Sequence, residues 1–234
     1  MRGCVTVQCI MGRILKAYET RFRWLLRSAR ARRLDQGVEA LINKARQFSA
    51  THQIPLADGL ARVQEELALR PQFRTVNHSS APVIFYCDAG LGGLARWLRA
   101  AGYEAFWEAG IDDDELLRRA RTLAATILTT DSMLMERRVL RNQVIPSLWL
   151  PPTLGISEQL RLVFREFNLQ LRSPRCMRCG GELRRADKEE LRGRVPPRTY
   201  RWLDEYFVCN RCGQAFWHGT HWTRIVKELE SLRG

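Results

Sequence analysis

Long apolar runs are missing from this 234-residue chain. Nothing approaches the roughly 18 uninterrupted apolar residues of a membrane-spanning helix, so no such helix is expected. Arginines break the apolar stretch around Ile10 and Met11, which argues against a secretory leader; cytoplasmic residence is the expectation. Lysine is scarce, present only at 16, 44, 188 and 227. None of the four closes a glycine-rich loop, so a Walker-type phosphate loop is excluded. Of the four histidines, His52 and His78 stand without any chemical context and read as structural.

What is there is arginine. Lysine and arginine together number 38 against 25 acids, for a formal net charge of +13 and a pI near 10.1. The guanidinium fork suits phosphate oxygens, although arginine-rich coding gives the same bias without function. The distribution is more telling. Residues 1–80 hold 14 basic and 6 acidic residues, residues 81–150 hold 8 and 9, and residues 151–234 hold 16 and 10. An acidic centre between basic flanks is what a metal-dependent enzyme acting on a polyanion needs. The competing reading is an ordinary solvated charged surface.

With 45% apolar residues, the chain can build one sizeable domain plus a smaller module. Three segments are expected: a helical region over 1–80, an α/β domain over 81–172 and a cysteine-bearing module over 173–234. In the first, Ile14, Leu15, Tyr18, Phe22, Leu25, Leu26 and Ala29 form a helical stripe beside a basic face. Such a face suits RNA or an anionic membrane surface, but packing on the main domain is the simpler expectation. Helices over about 38–50 and 56–69 follow, then a linker over 70–82 with two prolines. No chemistry is evident in residues 1–80.

From residue 83 strands and helices alternate. Strands are expected at Val83 to Cys87, Tyr103 to Trp107, Ala125 to Thr129 and Val144 to Leu150. Helices are expected to begin near Leu91, Asp113, Ser132 and Ile156, with Gly102 as a left-handed terminator. Alternation of this kind implies a parallel sheet whose carboxyl ends share one edge. Asp88 ends the first strand, Asp131 follows Thr129-Thr130, and Asp112, Asp113 and Asp114 open a helix. Carboxylates gathered there could hold divalent cations and serve a two-ion phosphodiester cleavage. The structural alternatives are a helix cap at Asp112, with Glu115 as its capping-box partner, and a cap at Asp131.

A rival reading concerns Gly90-Leu-Gly92-Gly-Leu-Ala95, which fits the dinucleotide-binding Gly-x-Gly-x-x-Ala pattern. Against it, Asp88 would set negative charge beside a pyrophosphate.

The seven cysteines divide clearly. Cys176-x-x-Cys179 and Cys209-x-x-Cys212, each followed by glycine, are two knuckles with the spacing of a tetrahedral Zn²⁺ site. Four thiolates leave no open position, so the expected role is structural. Cys4, Cys9 and Cys87 read as small apolar residues. Between the knuckles, Arg184, Arg185, Arg192 and Arg194 form a candidate phosphate-contacting strip, joined by Arg198 and Arg201. Downstream, Trp217-His-Gly-Thr-His221-Trp222 offers groups for base stacking or acid–base work, or simply a cap on the module.

Taken together, several of these segments resemble the Mut-seven C-terminal RNase domain family. They are Phe85-Tyr-Cys-Asp88, Leu91-Gly-Gly-Leu-Ala-Arg96-Trp-Leu-Arg, Gly102-Tyr103, Asp112-Asp-Asp-Glu-Leu-Leu, Ile127-Leu-Thr-Thr-Asp131, the two knuckles and Trp217 to Trp222. The resemblance covers roughly residues 83–225. It implies a PIN-like α/β sandwich with a zinc ribbon, and metal-dependent cleavage of RNA. It carries Mg²⁺- or Mn²⁺-ligand roles onto Asp88, Asp113 and Asp131, with Asp112 or Asp114 in support, and it turns the glycine segment away from nucleotide binding. RNA is the implied partner, with the ribosome or tRNA as candidate contexts, and Arg96, the Arg184–Arg194 strip, His221 and Trp222 are the candidate contacts. The family usually has Thr-Arg-Asp where this chain has Thr129-Thr130-Asp131, so one basic side chain beside the acid is missing. Two other readings remain open: a non-catalytic RNA- or ribosome-binding zinc protein, and a PIN-type toxin restrained by its own N-terminal helices.

Overall fold

A computed structural model describes residues 7–70 and 83–231. The chain divides into two compact units, one from Met1–Ser80 and Ile127–Phe167, the other from Ala81–Thr126 and Asn168–Gly234. The expected linker over 70–82, with His78, lies almost wholly outside the described residues, as does Cys4.

In the first unit the apolar stripe of the N-terminal segment becomes α1 (Val7–Ser28), followed by α2 (Leu34–His52) and α3 (Leu56–Ala68). Tyr18, Phe22 and Leu25 are buried, and the Tyr18 ring meets Trp149 edge-on at 5.1 Å. The same unit holds α6 (Ser132–Met135), α7 (Arg138–Arg141), β4 (Ser147–Trp149) and α8 (Ile156–Glu166). The helical N-terminal segment therefore shares a core with the second half of the α/β segment. An Arg165–Glu65 ion pair at 3.6 Å also joins α8 to α3.

The second unit contains β1 (Ile84–Cys87), α4 (Gly92–Ala100), β2 (Glu104–Trp107) and α5 (Asp113–Thr122). Gly102 ends α4's turn at φ +95°, and an added Cβ would lie 2.5 Å from the Arg172 Cβ, so both conformation and space require glycine there. With β3 (Thr126–Thr129), the strands form one four-stranded parallel sheet in the order β2-β1-β3-β4, as the alternating pattern predicts. Phe85, Cys87, Ile127 and Leu148 line its buried positions.

One strand is shorter than expected. Residues 142–145 finish the α7 turn instead, the N–H groups of Val144 and Ile145 both donating to the Val139 carbonyl, and Pro146 cannot extend a ladder on its own N. Pairing starts only at Ser147.

The rest of the second unit is a three-stranded antiparallel ribbon, order β5-β6-β7, from β5 (Leu183–Ala186), β6 (Tyr206–Cys209) and β7 (Ala215–Trp217). The insert between its knuckles folds as a 3-10 turn, Lys188–Leu191, and α9 (Pro197–Trp202). Leu191, Val195, Tyr206 and Val208 form a small core with Trp217 against it. The Tyr206 hydroxyl donates to the Thr199 and Leu203 carbonyls at 3.0 Å, tying the insert down. The unit closes with α10 (Thr220–Glu230).

Candidate functional site

The cysteine site assembles from two turns brought together by the β5-β6 pairing. The four Sγ atoms lie within 4.8 Å of one another, with Cys176–Cys212 at 3.6 Å and Cys179–Cys209 at 3.4 Å. A tetrahedron with Zn–S of about 2.3 Å has sulfurs about 3.8 Å apart, so this donor set fits Zn²⁺. Burial pushes the Cys176 thiol up to about 12. At Cys209 burial acts the same way, but the N–H groups of Cys212 and Arg211 and the neighbouring thiols outweigh it, bringing that thiol down to about 7. Cys87 belongs to no such group: it is buried in β1, and burial holds its thiol at about 12, as a small apolar residue should behave.

A set of side chains that the sequence reading passed over holds the knuckles against α4 and β2. Arg99, in α4, is buried and donates to the carbonyls of Ala105 (2.7 Å), Met177 (3.1 Å) and Arg178 (2.9 Å). Glu104, in β2, pairs with Arg175 at 3.6 Å and Arg211 at 3.3 Å, one from each knuckle. Arg211 in turn donates to the Cys179 carbonyl at 2.9 Å. An arginine on a helix face reads as solvated in sequence, and only the burial of position 99 could have flagged it.

The carboxylates are placed by their elements. Asp88 follows β1, half-buried, and its Oδ1 accepts from the Ala89 N–H at 2.6 Å. Gly92 lies just beyond, where a Cβ would come within 2.6 Å of the Trp107 indole, whose Nε1 donates to the Ala89 carbonyl at 2.9 Å. The glycine turn thus accommodates a tryptophan. Asp112 is the N-cap of α5, accepting from the Glu115 N–H at 2.9 Å. The expected capping-box partner acts otherwise: the Glu115 carboxylate takes hydrogen bonds from Arg118 and Arg119. Asp113 and Asp114 are exposed in the first turn of α5. Asp131 follows β3 by two residues and caps α6, accepting on one oxygen, Oδ1, from the N–H groups of Met133 (2.6 Å) and Leu134 (3.4 Å). Among the described residues, the cysteines are the group of three or more metal-ligating side chains that is assembled; the aspartates form no comparable group.

The family model of the Mut7-C RNAse domain matches residues 84–229, well over half the chain. The chain belongs to this family. The match takes in β1 with Asp88, the start of α5, Asp131, both knuckles and most of α10, so the Mut7-C RNAse domain here includes the ribbon as well as the sheet. No curated protein and no solved structure matches the chain. Membership points to a nuclease acting on RNA. Among the described residues no helix is long and apolar enough to cross a membrane.

The candidate RNA contacts of the Mut7-C domain are partly engaged already. Arg96 is exposed on α4. Arg184 pairs with Glu190, Arg192 with Glu189 at 2.7 Å, and Arg185 with Glu205 at 3.9 Å, while Arg194 donates to the Gly213 carbonyl at 2.7 Å. These pairs lie on the surface, where they are weak and exchangeable for phosphate. His221 is exposed, and Trp222 stacks on His218 with centroids 5.7 Å apart.

Proposed function

We propose that this Mut7-C RNAse domain is a metal-dependent ribonuclease that cuts within RNA chains. The observation that carries the proposal is the family match over 84–229, which spans the strand-end aspartates and the zinc ribbon in one domain. Asp88, Asp113 and Asp131 are the ligands of Mg²⁺ or Mn²⁺, with Asp112 and Asp114 supporting them. Carboxylate oxygens are the donors these hard cations prefer. The bound cation supplies Lewis-acid stabilisation of the phosphodiester oxygens and a water of lowered pKa.

The chain's own part is positioning. The Asp112 cap fixes the first turn of α5, and so the backbone that carries Asp113. The two N–H bonds on Asp131 Oδ1 hold that carboxylate in one orientation at the end of its strand. Arg96, Arg184, Arg185, Arg192 and Arg194 bind the RNA backbone, and Trp222 and His221 meet bases, which makes binding steeply dependent on salt. Zn²⁺ holds the ribbon that presents the last six.

A second reading is favoured by one observation: Asp112 and Asp131 already serve as helix caps, roles that need no metal. In it the protein binds RNA, on the ribosome or as tRNA, without cutting. The experiment compares cleavage and binding of end-labelled RNA by purified protein in Mn²⁺ and in EDTA, with zinc retained. The ribonuclease reading expects internal cleavage in Mn²⁺ alone. Tight, salt-sensitive binding in both buffers with intact RNA would replace it with the second reading.

A further inference from the structure

The N-terminal helices hold a site of their own. Within the first unit, a cavity of about 70 Å³ lies between α1 and the segment from α6 to β4. Its charged lining is Arg21, Arg23 and Arg27 from α1, Arg141 from the end of α7, and a single acid, Glu136. Arg23 is already paired with Asp35 at 2.6 Å. Arg21 is the unusual member. It is only 5% exposed, yet its Nε and Nη1 have no hydrogen-bond partner. Its guanidinium carbon sits 4.6 Å above the Trp24 ring, which offsets part of the charge but satisfies neither N–H.

A buried guanidinium with unmet donors is unfavourable unless an anion or ordered water completes it. Burial pushes Arg21 down to about 10, against the opposing charge of Glu166, so it remains a cation at neutral pH. Water could meet the donors but would leave the excess of positive charge standing. A cavity of this size exceeds two waters at about 30 Å³ each, and suits one tetrahedral oxyanion. Arginine's planar fork engages such an ion through two oxygens at once.

We propose that this cavity binds a phosphate-sized oxyanion, with Arg21 as its buried anchor and Arg27 and Arg141 at its rim. The source is either free phosphate or the terminal phosphate of an oligonucleotide. The site stands apart from the ribonuclease reading and does not depend on it.

The test is the melting temperature of the full-length protein in millimolar potassium phosphate against potassium chloride of equal ionic strength. The wild type is compared with Arg21→Met and with Arg141→Ala, an exposed rim change that leaves the core intact. The expected result is a saturable rise of about several degrees in the wild type. Arg21→Met abolishes it, and Arg141→Ala shifts the half-saturating concentration upward about several-fold. A rise that never saturates and is equal in all three proteins is only the general stabilisation by an excluded salt, and overturns the proposal. If Arg21→Met does not fold, Arg141→Ala decides alone. Short 5′-phosphorylated and 5′-hydroxyl oligonucleotides, added in EDTA, separate the sources. Competition by the phosphorylated one alone assigns the site to an RNA end, and competition by neither assigns it to free phosphate.

Discussion

Glu115 illustrates how the acids at the start of α5 divide between structure and chemistry. Hydrogen bonds from Arg118 and Arg119 hold its carboxyl down at about 2, against an ordinary value of 4.5. A carboxyl held low in the folded state stabilises fully above its unfolded value and loses that contribution as pH falls toward its folded one. Glu115→Gln is therefore expected to flatten the loss of stability between about pH 4.5 and pH 2, leaving neutral stability slightly lower. Urea unfolding midpoints of both proteins across that range check this, and identical acid limbs would contradict it. The buried arginines divide in the same manner. Arg99 has three carbonyls for its donors, whereas two donors of Arg21 have none. The first is structure, and the second is where a ligand belongs.

Among elements, the ribbon depends on two supports: the thiol quartet within it and the Arg99 clamp from α4. Arg99→Met removes three hydrogen bonds from a charged donor and leaves the Met177 and Arg178 carbonyls unmet. A loss of about 2–4 kcal/mol is expected, with faster zinc release to a chelator. Chelator-driven zinc release and unfolding midpoints test it together, and an unchanged release rate would mean the knuckles hold without the clamp. The clamp marks the limit of what could be read beforehand. Strand β1 was placed to within a residue because Val83 to Cys87 is an apolar run bounded by an acid and a glycine turn. The knuckles were legible because Cys-x-x-Cys spacing is local. Asp112 as a cap was also local and legible. Burial of Arg99 depends on Met177 and Arg178, nearly 80 residues away, and no periodicity within α4 encodes it. The start of β4 was placed too early because the turn that uses Val144 is closed by Val139, a helical contact that an apolar run disguises.

For the whole molecule, the charge pattern and the architecture agree. The acids at the strand ends lie in the one segment without net positive charge, and basic segments stand on either side in sequence. The N-terminal helices, outside the family match, share a core with residues 127–167. The central claim is that the strand-end aspartates carry the chemistry. Its most direct test is single-turnover RNA cleavage by Asp113→Asn at saturating Mn²⁺. This substitution leaves the Asp112 cap in place and so spares the helix. The account predicts a fall of more than about 100-fold in rate, beyond what loss of a supporting partner costs, with RNA affinity in EDTA unchanged. A rate within a few-fold of wild type would contradict it.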